Sequence, residues 1–112
     1  MCIIRLVEEG ELPELERQYG DLWVALEDDV IVGHVLASII HGLGWITDLK
    51  VWSKDPMITA KLCSKARKSI KDWGFDNYYL NIDPNHPDMF DTFIKTGHKV
   101  VQIVMKKEIS HE

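Results

Sequence analysis

A strand, a long helix and a second strand follow one another between Trp45 and Ile82, and few folds of 112 residues accommodate that succession. Ile58, Leu62, Ala66, Ile70 and Trp73 recur at spacings of four, four, four and three, which puts one apolar stripe along a helix. Asp55-Pro56 suits the start of that helix, an acceptor oxygen followed by a residue whose missing N–H costs nothing in the first turn. Gly74 suits its end. Trp45–Trp52 before it and Tyr78–Ile82 after it read as strands. A helical crossover between two strands of one sheet makes them parallel and right-handed.

The remaining segments fit around this unit. Cys2–Val7 reads as a strand closed by Glu8-Glu9-Gly10, and Glu11–Tyr19 as a helix with Leu12, Leu15 and Tyr19 on one face, ended by Gly20. Leu22–Leu26 and Val30–Ile40, separated by Glu27-Asp28-Asp29, form a hairpin whose nearly continuous apolarity implies burial of both faces. Gly33 inside it marks a bulge or a close backbone approach. His41-Gly42-Leu43-Gly44 reads as a flexible turn. In the next strand, alternation puts Trp45, Thr47, Leu49 and Val51 on one face and Ile46, Asp48, Lys50 and Trp52 on the other. Asp83–Asp88 is a turn leading to a helix with Met89, Phe90, Phe93 and Ile94 on its apolar face, closed by Thr96-Gly97. Val100–Met105 is a last strand and Lys106–Glu112 a polar tail. The expected architecture is a single domain over 1–112 in the order β-α-β-β-β-α-β-α-β. It is an α/β fold of mixed, α+β type, with a mixed sheet of about six strands and helices on both faces.

Composition narrows the function. With 46% apolar and 28% charged residues the chain has the make-up of a globular protein. No apolar run approaches the roughly 18 residues of a membrane span, and Met-Cys-Ile-Ile-Arg-Leu followed by Glu8 and Glu9 does not read as a signal peptide. Two cysteines, Cys2 and Cys63, fit a reducing, cytoplasmic setting without a structural disulfide. The net charge of −5 argues against a dedicated nucleic-acid binder. The charge is uneven: residues 1–29 hold nine acids against two arginines, whereas 54–71 hold six cations against Asp55 alone. The basic helix face is either a solvated surface or one that attracts phosphates or a partner.

Four segments resemble the GNAT superfamily of N-acetyltransferases. Ile3-Ile4-Arg5-Leu6 with Leu12-Pro13-Glu14-Leu15 is similar to the family's first strand and helix, and Asp29-Val30-Ile31-Val32-Gly33-His34-Val35 to its central hairpin. Trp45–Val51 resembles the strand before its cofactor loop. Asn85, followed by Phe93-Ile94-Lys95-Thr96-Gly97-His98, is similar to its asparagine and "Tyr-x-Lys-x-Gly-Phe" segment. These matches span nearly the whole chain in order.

The resemblance implies that Trp45–Trp52 and Tyr78–Ile82 splay apart to receive the pantetheine arm of acetyl-CoA. It also implies a pyrophosphate at the start of the following helix, where unpaired N–H groups and the dipole favour anions. It gives Asp48 the role of general base toward an acceptor amine. Leu49, Lys50, Val51, Lys54, Thr59 and Asn85 become the candidate cofactor contacts. Three departures accompany it. Ser53-Lys54-Asp55-Pro56-Met57-Ile58-Thr59-Ala60 carries none of the glycines of the family's pyrophosphate loop, and Asp55 adds a like charge there. Phe93 stands where the family has a proton-donating tyrosine. The segment before Asp21 is too short for the usual second helix.

Several residues have a plainer reading beside the functional one. His34 and His41 are a proton-shuttling pair or unrelated, and no metal spacing accompanies them. Asn85 and His86 form a Pro-bracketed turn or touch cofactor. Cys63 reads as a small core residue, Trp23 and Trp73 as core, and Trp52 as an exposed partner contact. Two functions follow. The first is an acetyl-CoA-dependent N-acetyltransferase, or a degenerate relative of one, acting on an amine-bearing small molecule or protein. The other is a non-catalytic GNAT-fold protein that binds a protein partner or itself, such as a phage virion or assembly component, to which trimmed chains of this kind are similar.

Overall fold

Two tight turns set the register of the sheet. Asp28 and Asp29 take left-handed φ values of 51° and 65°, so β2 (Asp21–Glu27) turns directly into β3 (Val30–Ile40) with Glu27 opposite Val30. His41 and Gly42, at 51° and 76°, do the same between β3 and β4 (Leu43–Val51), with Ile40 opposite Leu43. Two successive left-handed residues give a twist that matches the strands they join. The turn expected over 41–44 therefore closes in two residues, and β4 begins at Leu43 rather than Trp45.

The computed structural model describes residues 2–16, 20–81, 91, 93–99 and 107. The chain divides into two compact units, Met1–Asn81 and Ile82–Glu112. In the first unit the sheet runs β1-β2-β3-β4-β5, with β1 (Cys2–Leu6) antiparallel to β2, and β5 (Tyr79–Leu80) parallel to β4. The crossover between the last two is α2 (Met57–Asp72), as the apolar stripe requires. Five strands are described, and the sixth expected one, Val100–Met105, lies outside the described residues. Of the helix expected over Glu11–Tyr19, α1 (Pro13–Glu16) is described.

Ile58, Leu62 and Ala66 are wholly buried and Ile70 nearly so. They pack on Ala25 of β2, Val35 and Ala37 of β3 and Ile46 of β4. Truncating one such leucine to alanine costs about 2–5 kcal/mol. The indole N–H of Trp23 donates to Ser69 Oγ at 3.0 Å, pinning α2 to β2 from within the core. Both faces of the hairpin are buried as expected, since Val24, Leu36, His34 and Ser38 on the face turned from α2 are also inaccessible.

Close approach decides two glycines. A Cβ on Gly33 would lie 3.2 Å from both the Leu62 side chain and the Lys50 carbonyl oxygen, confirming the approach expected there. The register shift itself falls next to it, with Val32 left between the pairs Ala25–Gly33 and Leu26–Ile31. Gly20, read from sequence as a helix end, has φ 140°, and a Cβ there would sit 2.0 Å from the Ala37 carbonyl oxygen. Its glycine is demanded by β3, which sequence order does not reveal.

In the second unit, Gly97 at φ 93° ends a helical segment. Its N–H bonds the Ile94 carbonyl at 3.1 Å and that of His98 bonds Phe93 at 3.0 Å, the pairing typical of a glycine-terminated helix. Gly74 ends α2 in the same way, with Phe75 N–H on the Ile70 carbonyl at 3.3 Å.

Candidate active site

The site is set by where β4 leaves its neighbours. On the β5 side, Trp45 pairs with Tyr79 and Ile46 with Leu80. From Thr47 to Val51, β4 has no β5 partner among the described residues. On the β3 side, Leu36 pairs with Thr47 and His34 with Lys50. Asp48 and Leu49 thus stand together opposite Val35 in a bulge, with Asp48 at a left-handed φ of 50°.

The bulge overturns the alternation read from sequence. Ile46 lies on the α2 side before it, and Leu49 and Val51 pack toward the same core after it. An extra residue on one strand shifts every later side chain by one face. Strict alternation had placed Ile46 opposite to Leu49 and Val51.

The predicted site residues divide accordingly. Asp48 sits at the bulge, exposed, and Leu49, Lys50 and Val51 follow it along the end of β4. Lys54 is exposed in the loop before α2, and Thr59 lies in the first turns of α2. Asn85 lies outside the described residues. Phe93, in the second unit, meets the His98 ring edge-on at 5.0 Å and has no hydroxyl to offer.

The start of α2 is already supplied with acceptors. Asp55 N–H donates to Ser53 Oγ at 3.1 Å, and Met57 N–H to Asp55 Oδ1 at 2.9 Å. Ser53 in turn donates its hydroxyl proton to the Glu27 carboxylate. Two amides of an anion-binding loop are thereby taken, Pro56 has none, and two carboxylates stand close by. The Asp55 contact is the cap expected from Asp55-Pro56. Glu27 was not foreseen, since 26 residues separate it from Ser53 and only the sheet joins them. Trp52 and Met57, each 57% exposed, flank this loop, and the exposure of Trp52 is as expected.

His34 is the other buried polar group at the bulge. Its Nδ1 has no hydrogen-bond partner, and burial holds its pKa below the ordinary imidazole range against the opposing effect of Asp48. His41 occupies the exposed turn seven residues on, so the two do not form a pair. No group of three metal-binding side chains occurs among the described residues. No helix among them is long and apolar enough to cross a membrane.

A sheet antiparallel through β4 and parallel at β5, a bulge in β4 beyond its last described β5 pair, and a crossover helix between these two strands define the GNAT fold, and this chain has it. Among solved structures it is similar to a transcriptional regulator from Bacillus halodurans C-125, with 17% identity, TM-score 0.77 and 97% of this chain and 100% of that one covered. It is similar also to AAC(6')-Iy bound to the bisubstrate analogue CoA-S-monomethyl-acetylneamine, at 12% identity, TM-score 0.77 and 99% of each chain. A third is the aminoglycoside acetyltransferase meta-AAC0020 from an uncultured soil metagenomic sample, in complex with sisomicin. It has 18% identity, TM-score 0.71, and covers 99% of this chain and 97% of that one. No protein-family model matches the chain, and no curated protein does.

Proposed function

We propose that the protein transfers the acetyl group of acetyl-CoA to an amine. The observation that carries this reading is the Asp48–Leu49 bulge in β4, just beyond Ile46, the last β4 residue with a β5 partner among the described residues. The stretch Thr47–Val51, which has no β5 partner among the described residues, suits an amide-bearing pantetheine arm adding to it as a strand does. The loop before α2 fits a pyrophosphate poorly in the arrangement described, because Ser53 and Asp55 hold the amides it would need. Phosphate contacts therefore fall to the exposed Lys50 and Lys54, and Thr59 adds a hydroxyl. Asn85 is kept as a cofactor contact on the resemblance alone.

Acetyl-CoA supplies an acyl carbon joined to a good leaving group. Asp48 takes a proton from the acceptor amine, so the nitrogen lone pair forms the C–N bond as the C–S bond breaks. The resemblance puts Phe93 where the family has its hydroxyl donor, so in this reading the departing thiolate is protonated by solvent. Amine-bearing ligands in two neighbouring structures and the acidic first third of this chain support an amine acceptor.

A second reading has its own observation. The occupied loop, with Glu27 and Asp55 beside it, suits a GNAT-fold protein that binds a partner rather than acetyl-CoA, with Trp52 and Met57 as the contact. A structural neighbour described as a transcriptional regulator accords with a non-enzymatic use of the fold, as would a phage assembly role. Calorimetry with acetyl-CoA, followed by thiol release over a panel of aminoglycosides, polyamines and peptide amines, separates the two. Binding with amine-dependent thiol release is expected. Absence of both for the wild type overturns acetyl transfer and leaves the partner-binding reading.

A further inference from the structure

The end of α2 opposite the Ser53–Asp55 loop carries a cleft of about 250 Å³. The turn out of the helix builds it. Gly74, at φ 95°, reverses the chain, and the Phe75 N–H returns to the Ile70 carbonyl at 3.3 Å, which folds Phe75 back beside the last turn. Tyr78, leading into β5, continues the apolar wall, and Ile70 is its buried floor. The sheet lies directly behind that floor, since a Cβ on Gly44 of β4 would stand 2.6 Å from the Ile70 side chain. Arg67 and Lys71, one helical turn apart and both exposed, bring two cations to the cleft, and the exposed Asp76 and Asn77 line it from the loop.

These charges are not spent on one another. The ion pair among the described residues is Arg5–Glu11, so Asp76 neutralises neither Arg67 nor Lys71 although all three line one cleft. The volume falls short of the roughly 300–1,000 Å³ of sites for drug-sized ligands, which restricts an occupant to a small molecule. The 16 residues of α2 span about 24 Å, which separates the cleft from the loop at the helix start. A ligand here therefore depends neither on acetyl transfer nor on the Trp52 contact.

We propose that the cleft binds a free α-amino acid with an apolar side chain. The Arg67 guanidinium, which matches a carboxylate with two parallel hydrogen bonds, takes the carboxylate together with Lys71. The ammonium goes to Asp76 and the Asn77 side-chain oxygen, at the helix end where the dipole is negative. The side chain covers Phe75, Tyr78 and Ile70 and removes apolar surface from water. A simple anion would have Asp76 against it and a simple amine would face two cations, whereas a zwitterion answers both signs.

Amide NMR of the full chain tests this with L-phenylalanine as probe, beside 3-phenylpropionate and phenethylamine, which each lack one of its charges. Phenylalanine is expected to give saturable shifts centred on residues 70–78. Phenylpropionate should bind about tenfold more weakly, as the loss of one charged hydrogen bond implies, and phenethylamine not at all. Arg67→Met should weaken phenylalanine about tenfold or more. Asp76→Asn should weaken phenylalanine by a similar factor while phenylpropionate binds as before or more tightly. Both positions are exposed, and the spectra of the unliganded variants verify that they fold. Absence of saturable shifts, phenylpropionate binding as tightly as phenylalanine, or unaltered phenylalanine affinity in either folded variant overturns the proposal. So does a response confined to residues 47–55, which would put the amino acid at the acetyl-transfer site as an acceptor. The expected shifts in a protein that releases no thiol from acetyl-CoA uphold the cleft and overturn only acetyl transfer.

Discussion

The carboxylate of Asp55 accepts the main-chain N–H of Met57 at 2.9 Å, while the N–H of Asp55 itself goes to Ser53 Oγ. The helix start proposed to lie beside the cofactor thus has its own anion in place. Because Pro56 has no N–H, those two amides are much of what the loop has to give. On the acetyl-transfer reading, Asp55 is therefore the residue at this loop whose replacement should most change the response to acetyl-CoA.

Replacing that residue should move ligand response and intrinsic stability in opposite directions. Asp55→Gly loses the helix-capping contact, a cost of a few tenths to about 1 kcal/mol, so the Tm without ligand should fall. It also removes a charge and frees an amide, so the rise in Tm on adding acetyl-CoA should exceed that of the wild type. A ligand at about 100 times its Kd adds about 2.7 kcal/mol. Equal shifts in the two proteins would show that Asp55 does not obstruct the site.

The Trp23–Ser69 hydrogen bond offers a stability test away from the site. Ser69 is 4% exposed, and Ser69→Ala would leave the indole N–H without its partner. Chemical unfolding should show a loss of about 1–2 kcal/mol at unchanged m value. Trp23→Phe with Ser69→Ala should cost less than the two single changes added together.

Acid stability should depend on Glu11. Arg5 grips its carboxylate with two nitrogens, at 2.7 and 2.9 Å, and the Glu8 amide donates to it as well, holding its pKa down at about 2. A glutamate whose folded pKa lies below its unfolded value adds stability above the unfolded value. That stability is lost as pH falls toward about 2. Glu11→Gln should flatten the decline in urea midpoint between about pH 5 and 2, mostly at low salt because the pair is near the surface. An unchanged decline would place the acid sensitivity elsewhere.

Burial pushes the Cys63 thiol up to about 11, against a small opposing effect of Arg67. In a Cys2→Ser background, native protein at pH 8 should react with a disulfide reagent far more slowly than unfolded protein, because the thiolate is the nucleophile. Native labelling at the free-thiol rate would mean that the packing around Cys63 opens readily.

The sequence by itself determined the order of the elements from β1 to β5, the crossover from β4 to β5, the stripe that faces the sheet, and the glycines that stop α2 and the second-unit helix. These are local matters of periodicity, capping and turn chemistry, legible within a few residues. It also brought Asp48, Leu49, Lys50 and Val51 to notice as one stretch. The tertiary structure alone decided which way those residues face, because the bulge exists only in the pairing of β4 with β3. It alone set Glu27 against Ser53, the Ala37 carbonyl against Gly20, and the His34 ring edge-on to Trp52. Each of these joins groups on different elements, and a contact across a sheet depends on register, which a one-residue shift reverses.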